Sequence, residues 1–232
     1  MTERARVVQT AKGYSFFFLG ISCVAFGVAV TASSQLGTSP ISSVAYVAHR
    51  VSVVGELRPV WSLGATSFVL NCLFFAAQWG IERGDFFKRQ FLQLPATFLF
   101  GLLIDGFGWT IVHTTGAIAD FGYAWRLFAC FFGSAIVALG IVLELVGNVL
   151  YLPGDGMVKT LSSALKTPFG MTKLSFDVFL TVLSVAISWL AVGRVEGVRE
   201  GSLVGAIMVG QFARLFHPLV GGLRARCGLD AR

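Results

Sequence analysis

Read for apolar runs, the chain contains six stretches long enough to cross a bilayer, because a hydrocarbon core about 30 Å thick needs about 20 apolar residues. Gly13 to Gln35 carries no charge. Val60 to Ile81 is also uncharged, and its Trp61 and Trp79 stand about 27 Å apart on a helix, the separation of two interfacial aromatic belts. Phe91 to Val112 carries one acid, Asp105, and Leu127 to Leu150 carries one, Glu144. Leu174 to Val192 holds Asp177, and Gly201 to Leu223 holds Arg214 in its middle. Two shorter elements follow the first and fourth runs: one over 40–50 opens at Pro40, and one over 153–166 opens at Pro153. The pattern predicts an all-α membrane protein of about six transmembrane helices.

The two halves repeat. Val24, Ala25, Phe26, Gly27 and Val28 match Val137, Ala138, Leu139, Gly140 and Ile141 at an offset of 113, which also sets Pro40 on Pro153. Gly64, Thr66 and Asn71 fall on Gly170, Thr172 and Asp177, and Gly101, Asp105 and Phe107 on Gly210, Arg214 and Phe216. The order of blocks is kept while the offset drifts through loops. Each copy therefore reads as span, short Pro-started helix, span, span. Three crossings is an odd number, so the second copy enters from the opposite side, and the expected fold is two inverted three-helix repeats with short, re-entrant helices. The division is a tail over 1–12, repeat one over 13–118, repeat two over 119–223 and a tail over 224–232.

Composition makes the bilayer the solvent: 55% of the 232 residues are hydrophobic and 13% charged, against roughly 25% charge in a soluble domain. The 27 glycines fit helices in close approach. No span of the chain is left for a soluble catalytic domain. The net charge of +6 does not point to nucleic acid, because the basic residues sit at segment ends and not on one face. They fix orientation instead. With the N-terminus inside, Arg4, Arg6, Lys12, Arg83, Lys88, Arg89, Lys159, Lys166, Lys173, Arg224, Arg226 and Arg232 fall on the inner side. Arg50, Arg58, Arg126, Arg194 and Arg199 fall outside, so both termini are expected in the cytoplasm. The first apolar run is too long for the core of a signal peptide and is read as a retained helix. Four cysteines show no paired spacing, so no metal site is expected.

Leu36, Gly37, Thr38, Ser39 and Pro40, with Leu152, Pro153, Gly154, Asp155 and Gly156, resemble the Leu-Gly-x-x-Pro-x-Asp run of the YczE/YitT family of bacterial membrane proteins. The resemblance extends from about Gly13 to Pro218 and implies a multi-pass protein of the bacterial inner membrane; it brings no established activity with it. The family's Asp two residues after the Pro is present as Asp155 and replaced by Ser42 in the first copy.

An ionisable residue inside a membrane helix is a functional hypothesis by default. Gly140, Glu144 and Asn148 share a helix face at spacings of four, and their counterparts Gly27, Thr31 and Gln35 do the same, so a polar stripe on the first span is expected to confront one on the fourth. The alternative is a hydrogen-bonded seam worth about 0.6 kcal/mol per contact. Asp105 and Arg214 occupy equivalent positions with opposite charge and are candidates for a gating ion pair or for a packing bridge. Asp177, matched by Asn71, is a candidate proton acceptor or an interfacial acid next to Lys173. A Pro at the first turn of a helix leaves the helix's positive end open to a ligand. Ser42 and Ser43, after the run Gly37, Thr38 and Ser39, would line one such end and Asp155 the other, a pairing suited to a zwitterion or a small polar metabolite; a capped interfacial turn is the simpler reading.

No nucleotide-binding loop, His-Glu-x-x-His or Gly-x-Ser-x-Gly is present, so no enzyme and no cofactor is expected. The leading function is a small secondary transporter, proton- or ion-coupled, with lipids and a small-molecule or ion substrate as its partners and a homodimer as its possible assembly. The competing function is a non-transporting membrane scaffold that stabilises another complex.

Overall fold

The computed structural model describes residues 3–55, 60–82 and 88–227. Among these residues eight α-helices follow one another: α1 (Glu3–Ser33), α2 (Pro40–Val54), α3 (Leu63–Glu82), α4 (Gln93–Thr115), α5 (Tyr123–Gly147), α6 (Pro153–Leu165), α7 (Phe169–Val192) and α8 (Glu200–Cys227). Short 3-10 turns at Lys88–Leu92 and Ile118–Asp120 precede α4 and α5. Five segments are long and apolar enough to cross a membrane: Val7–Ser33, Leu63–Glu82, Gln90–Thr115, Tyr123–Gly147 and Gly170–Val192. The chain is a multi-pass membrane protein. The stretch expected as a sixth span lies in α8, where the apolar part among the described residues is only Glu200–Val209.

Several helix ends differ from those expected. The first span ends at Ser33 and the fourth at Gly147, because Gln35 and Asn148 adopt left-handed backbone at φ 54° and 44°. Asparagine tolerates that region because its short polar side chain bonds locally, but a non-glycine residue there still marks a forced chain reversal. Both short helices start at their prolines, which fit the first turn because the missing N–H has no partner there in any helix. Both prolines are buried.

The largest helix–helix contact joins α1 and α5. Gly13, Gly20 and Gly27 on α1, seven residues apart, meet Gly147, Gly140 and Gly133 on α5 in reverse order, so the two helices run antiparallel. A methyl group on Gly20 would lie 2.8 Å from the Gly140 carbonyl oxygen, and one on Gly140 would lie 2.7 Å from the Gly20 carbonyl oxygen. With lipid as the alternative surroundings, this closeness is held by dispersion and not by the exclusion of water, and only glycine permits it. α4 lies against α1, and α8 against α5. A second group crosses this one: α2 packs on α7, α3 on α6, α2 on α3 and α6 on α7. The groups join mainly where α3 meets α4, and also where α2 meets α8. Phe17, Ile21, Ala25 and Val28 of α1, with Phe100 and Ile104 of α4, form the main buried cluster.

Candidate functional site

The polar centre of the molecule forms where α5 ends and α6 begins. Left-handed Asn148 stops α5 and turns the chain back, and Pro153 restarts a helix five residues later. Glu144 sits one turn before that reversal with 2% of its surface exposed, its side chain pressed on Gly20 of α1. Its Oε2 accepts the Leu152 N–H at 3.4 Å, so the carboxyl group lies over the residue that caps α6. Its Oε1 has no hydrogen-bond partner. Tyr151 donates its hydroxyl to Asn148 Oδ1 at 2.9 Å and carries the Lys159 ammonium 4.8 Å from its ring centre. Arg224 of α8, Glu144 and Asp155 all lie within electrostatic reach of Tyr151.

Asp155 stands in the first turn of α6, where the helix dipole favours a negative charge. Lys173 of α7 bridges it to Asp177, with Nζ 3.4 Å from Asp155 Oδ1 and 3.2 Å from Asp177 Oδ1. All three side chains are about one-fifth to one-quarter exposed. Asn71 borders the same region from α3: its amide donates to the Ser67 carbonyl, and its Oδ1 is 3.9 Å from where a methyl on Gly154 would lie. The structure thus gathers Asn71, Glu144, Asn148, Asp155 and Asp177 around the start of α6.

The remaining expected residues line the start of α2. Thr31 is buried and bonds back to the Val28 carbonyl, while Gln35 is exposed. Ser39 precedes Pro40 and its hydroxyl reaches that of Ser42 at 3.4 Å; it makes no capping bond to the helix backbone. The expectation that the stripes of α1 and α5 confront each other fails. The antiparallel register sets Thr31 against Gly133 and Glu144 against Gly20, which separates Thr31 from Glu144 by about 16 Å along the seam. Asn148 and Gln35 drop out of the stripes because each lies beyond its helix.

Asp105 has a role that its position alone does not disclose. Oδ2 accepts from the Ser62 hydroxyl at 2.6 Å and Oδ1 from the Gly64 N–H at 2.7 Å, so an acid in the middle of α4 caps the start of α3 from outside. Ser62 Oγ in turn accepts the Ala65 N–H at 3.0 Å. The side chain of Arg214, the other half of the expected pair, lies outside the described residues.

Two contributors, Gln78 and Ser184, escaped the sequence reading. Gln78 is buried on α3 and donates to the Pro153 carbonyl at 2.9 Å, a tie between an apolar span and the start of α6. A lone glutamine inside an apolar run is the signal that was available for it. Ser43 and Ser184 share a buried hydrogen bond of 2.8 Å between α2 and α7. Among the described residues no cluster of three metal-ligating side chains occurs. Residues 11–218 match the model of DUF6198, a family of unknown function. Neither a curated protein nor a solved structure matches the chain.

Proposed function

We propose that this chain, which belongs to the DUF6198 family, is a small secondary transporter that carries a small polar or charged metabolite across the bacterial inner membrane, coupled to a proton or an ion. The observation that carries the reading is that the two Pro-started helices meet at their beginnings. Ile41 and Gly154 are in contact, a methyl on Gly154 falling 2.8 Å from Ile41 Cγ2, and the buried Glu144 carboxyl caps one of those beginnings. Broken helices whose ends converge inside the protein are where transporters bind their substrates.

Support for inverted repeats comes from contacts that exchange under the sequence offsets. Gly20 with Gly140 becomes Gly133 with Gly27. Gly13 with Gly147 becomes Arg126 with Ser34, and there Arg126 Nε donates to the Ser34 carbonyl at 2.8 Å. Ser43 with Ser184 becomes Gly156 with Gln78, which also touch. Ile41 and Gly154 are counterparts of each other. A twofold axis in the membrane plane generates such reciprocity. The resemblance to the YczE/YitT run, and a cytoplasmic location for both termini, belong to the same reading.

Alternation between two states then has parts to work with. One body is α1, α4, α5 and α8, and the other is α2, α3, α6 and α7. The α3–α4 seam is shut by Asp105 and by the contact of Gly64 with Gly101, whereas α7 and α8 barely meet among the described residues, and Gly170, the counterpart of Gly64, has open space beside it. In this reading the second state shuts the α7–α8 seam and opens the other.

The test is a thermal-shift screen of the purified protein against amino acids, small carboxylates and amines across pH, followed by uptake of the stabilising compound into proteoliposomes under a pH gradient. Gradient-driven uptake that Glu144→Gln or Asp177→Asn impairs is the expected result. Full coupled uptake in both variants removes the carboxylate mechanism. Loss of function from changes on exposed Phe positions alone, with the carboxyl groups dispensable, favours the scaffold.

A further inference from the structure

The acids of the described residues fall into two sets. Asp155 and Asp177 share Lys173, Glu196 pairs with Arg50 and Arg194, and Glu200 pairs with Arg199. Asp105 is held by a hydroxyl and a backbone N–H, and Glu82 takes bonds from Thr160 and Gln90. Asp120 is exposed. Glu144 alone among the described acids is buried, lacks a cationic partner and leaves one oxygen unbonded. Burying an unpaired carboxylate is strongly opposed by the loss of its hydration, and a single long bond from Leu152 does not offset that.

We propose that Glu144 is the coupling-ion site of this protein, that the ion is a proton, and that the proton is bound in the conformation described here; this rests on the transporter reading above. The surroundings fit a site that loads and empties. α1 presents Gly20, without a side chain, so the carboxyl group has no donor from that flank. The titratable groups around it are Asp155, which Lys173 bridges to Asp177, and Tyr151, which Arg224 of α8 reaches in turn. Asp155 is the charged neighbour closest in effect to Glu144, and it is an acid, so no cation offsets a carboxylate there. Movement of α6 relative to α5 removes the Leu152 cap and changes the distance to Asp155, so a change of conformation changes proton affinity. Asp155 and Asp177, bridged by the Lys173 ammonium group, are left to bind or position the substrate.

Infrared spectra of the purified full-length protein in sodium-free buffer at neutral pH test this without a substrate. The expected result is a protonated-carboxyl C=O band that shifts in D2O, is lost in Glu144→Gln, and persists in Asp155→Asn and Asp177→Asn. Glutamine keeps the acceptor for Leu152, so the variant retains the α6 cap. Should it nevertheless fail to fold, the wild-type spectrum decides: no such band overturns the proposal, as does a band that Glu144→Gln leaves unchanged. A band that disappears when sodium chloride replaces choline chloride assigns the site to sodium and also overturns it. The band present with no uptake of any compound ends the transporter reading and with it the coupling role, leaving a bound proton without transport; uptake with no band ends the proton proposal alone.

Discussion

Replacing Gly140 by alanine tests whether the α1–α5 seam is as tight as its glycines imply. The added methyl would sit 2.6 Å from Val24 Cγ2, 2.7 Å from the Gly20 carbonyl oxygen and 2.8 Å from the Val24 nitrogen. Two of these three neighbours are backbone atoms of a helix, so no rotamer change relieves the clash and the helices must separate. A gap of 0.5–1 Å forfeits about a quarter to a half of each dispersion contact across the interface. Overpacking of this kind costs about 1–3 kcal/mol, less about 1 kcal/mol regained because alanine favours helix over glycine. Gly106 on α4 is the control, since a methyl there meets nothing within 4 Å. Thermal unfolding in detergent, followed by circular dichroism, should place Gly140→Ala below the wild type and Gly106→Ala at or above it. At about 2–4 °C per kcal/mol for a chain of this size, the two variants should differ by several degrees. Equal melting temperatures would mean that the seam is looser than described.

Asp105→Asn weakens a charge-assisted bond to the start of α3, and about 1.5–3 kcal/mol of stability should be lost by thermal unfolding, with Ser62→Ala losing less. Ser43→Ala and Ser184→Ala should each lose about 1 kcal/mol but show a coupling of similar size in a double-mutant cycle, because either single change abolishes the same bond. Lys173→Met leaves two carboxylates facing each other across a partly buried site; it should destabilise, and adding Asp155→Asn with Asp177→Asn should restore the melting temperature.

Much of the fold could be read from single residues. Long apolar runs with at most one charge marked the spans, and Pro40 and Pro153 marked the starts of both short helices because proline suits only the first turn. The offset of 113 equated Gln35 with Asn148, and both adopt the same left-handed backbone, although neither residue type forces it. That conformation follows from where the chain must reverse, which is a tertiary demand, and so both spans were read as ending too late. The candidate acids were found because a charge in lipid is conspicuous. Lys173 was read beside Asp177 from its spacing, but the longer-range partners were not, since Lys173 reaches Asp155 and Asp105 reaches Ser62 only after distant segments pack. The facing of the two polar stripes failed for a related reason: periodicity gives the face of a helix but not its register against its neighbour.

Opposite insertion of the two halves is tested most directly by labelling the starts of their first helices. In a chain with Cys23, Cys72, Cys130 and Cys227 replaced by serine, single cysteines at Ala11 and Tyr123, both exposed, report the two ends. In sealed inside-out and right-side-out vesicles, a membrane-impermeant maleimide should reach Ala11→Cys from one face and Tyr123→Cys from the other. Labelling of both from the same face would contradict the inverted arrangement and the transport mechanism built on it.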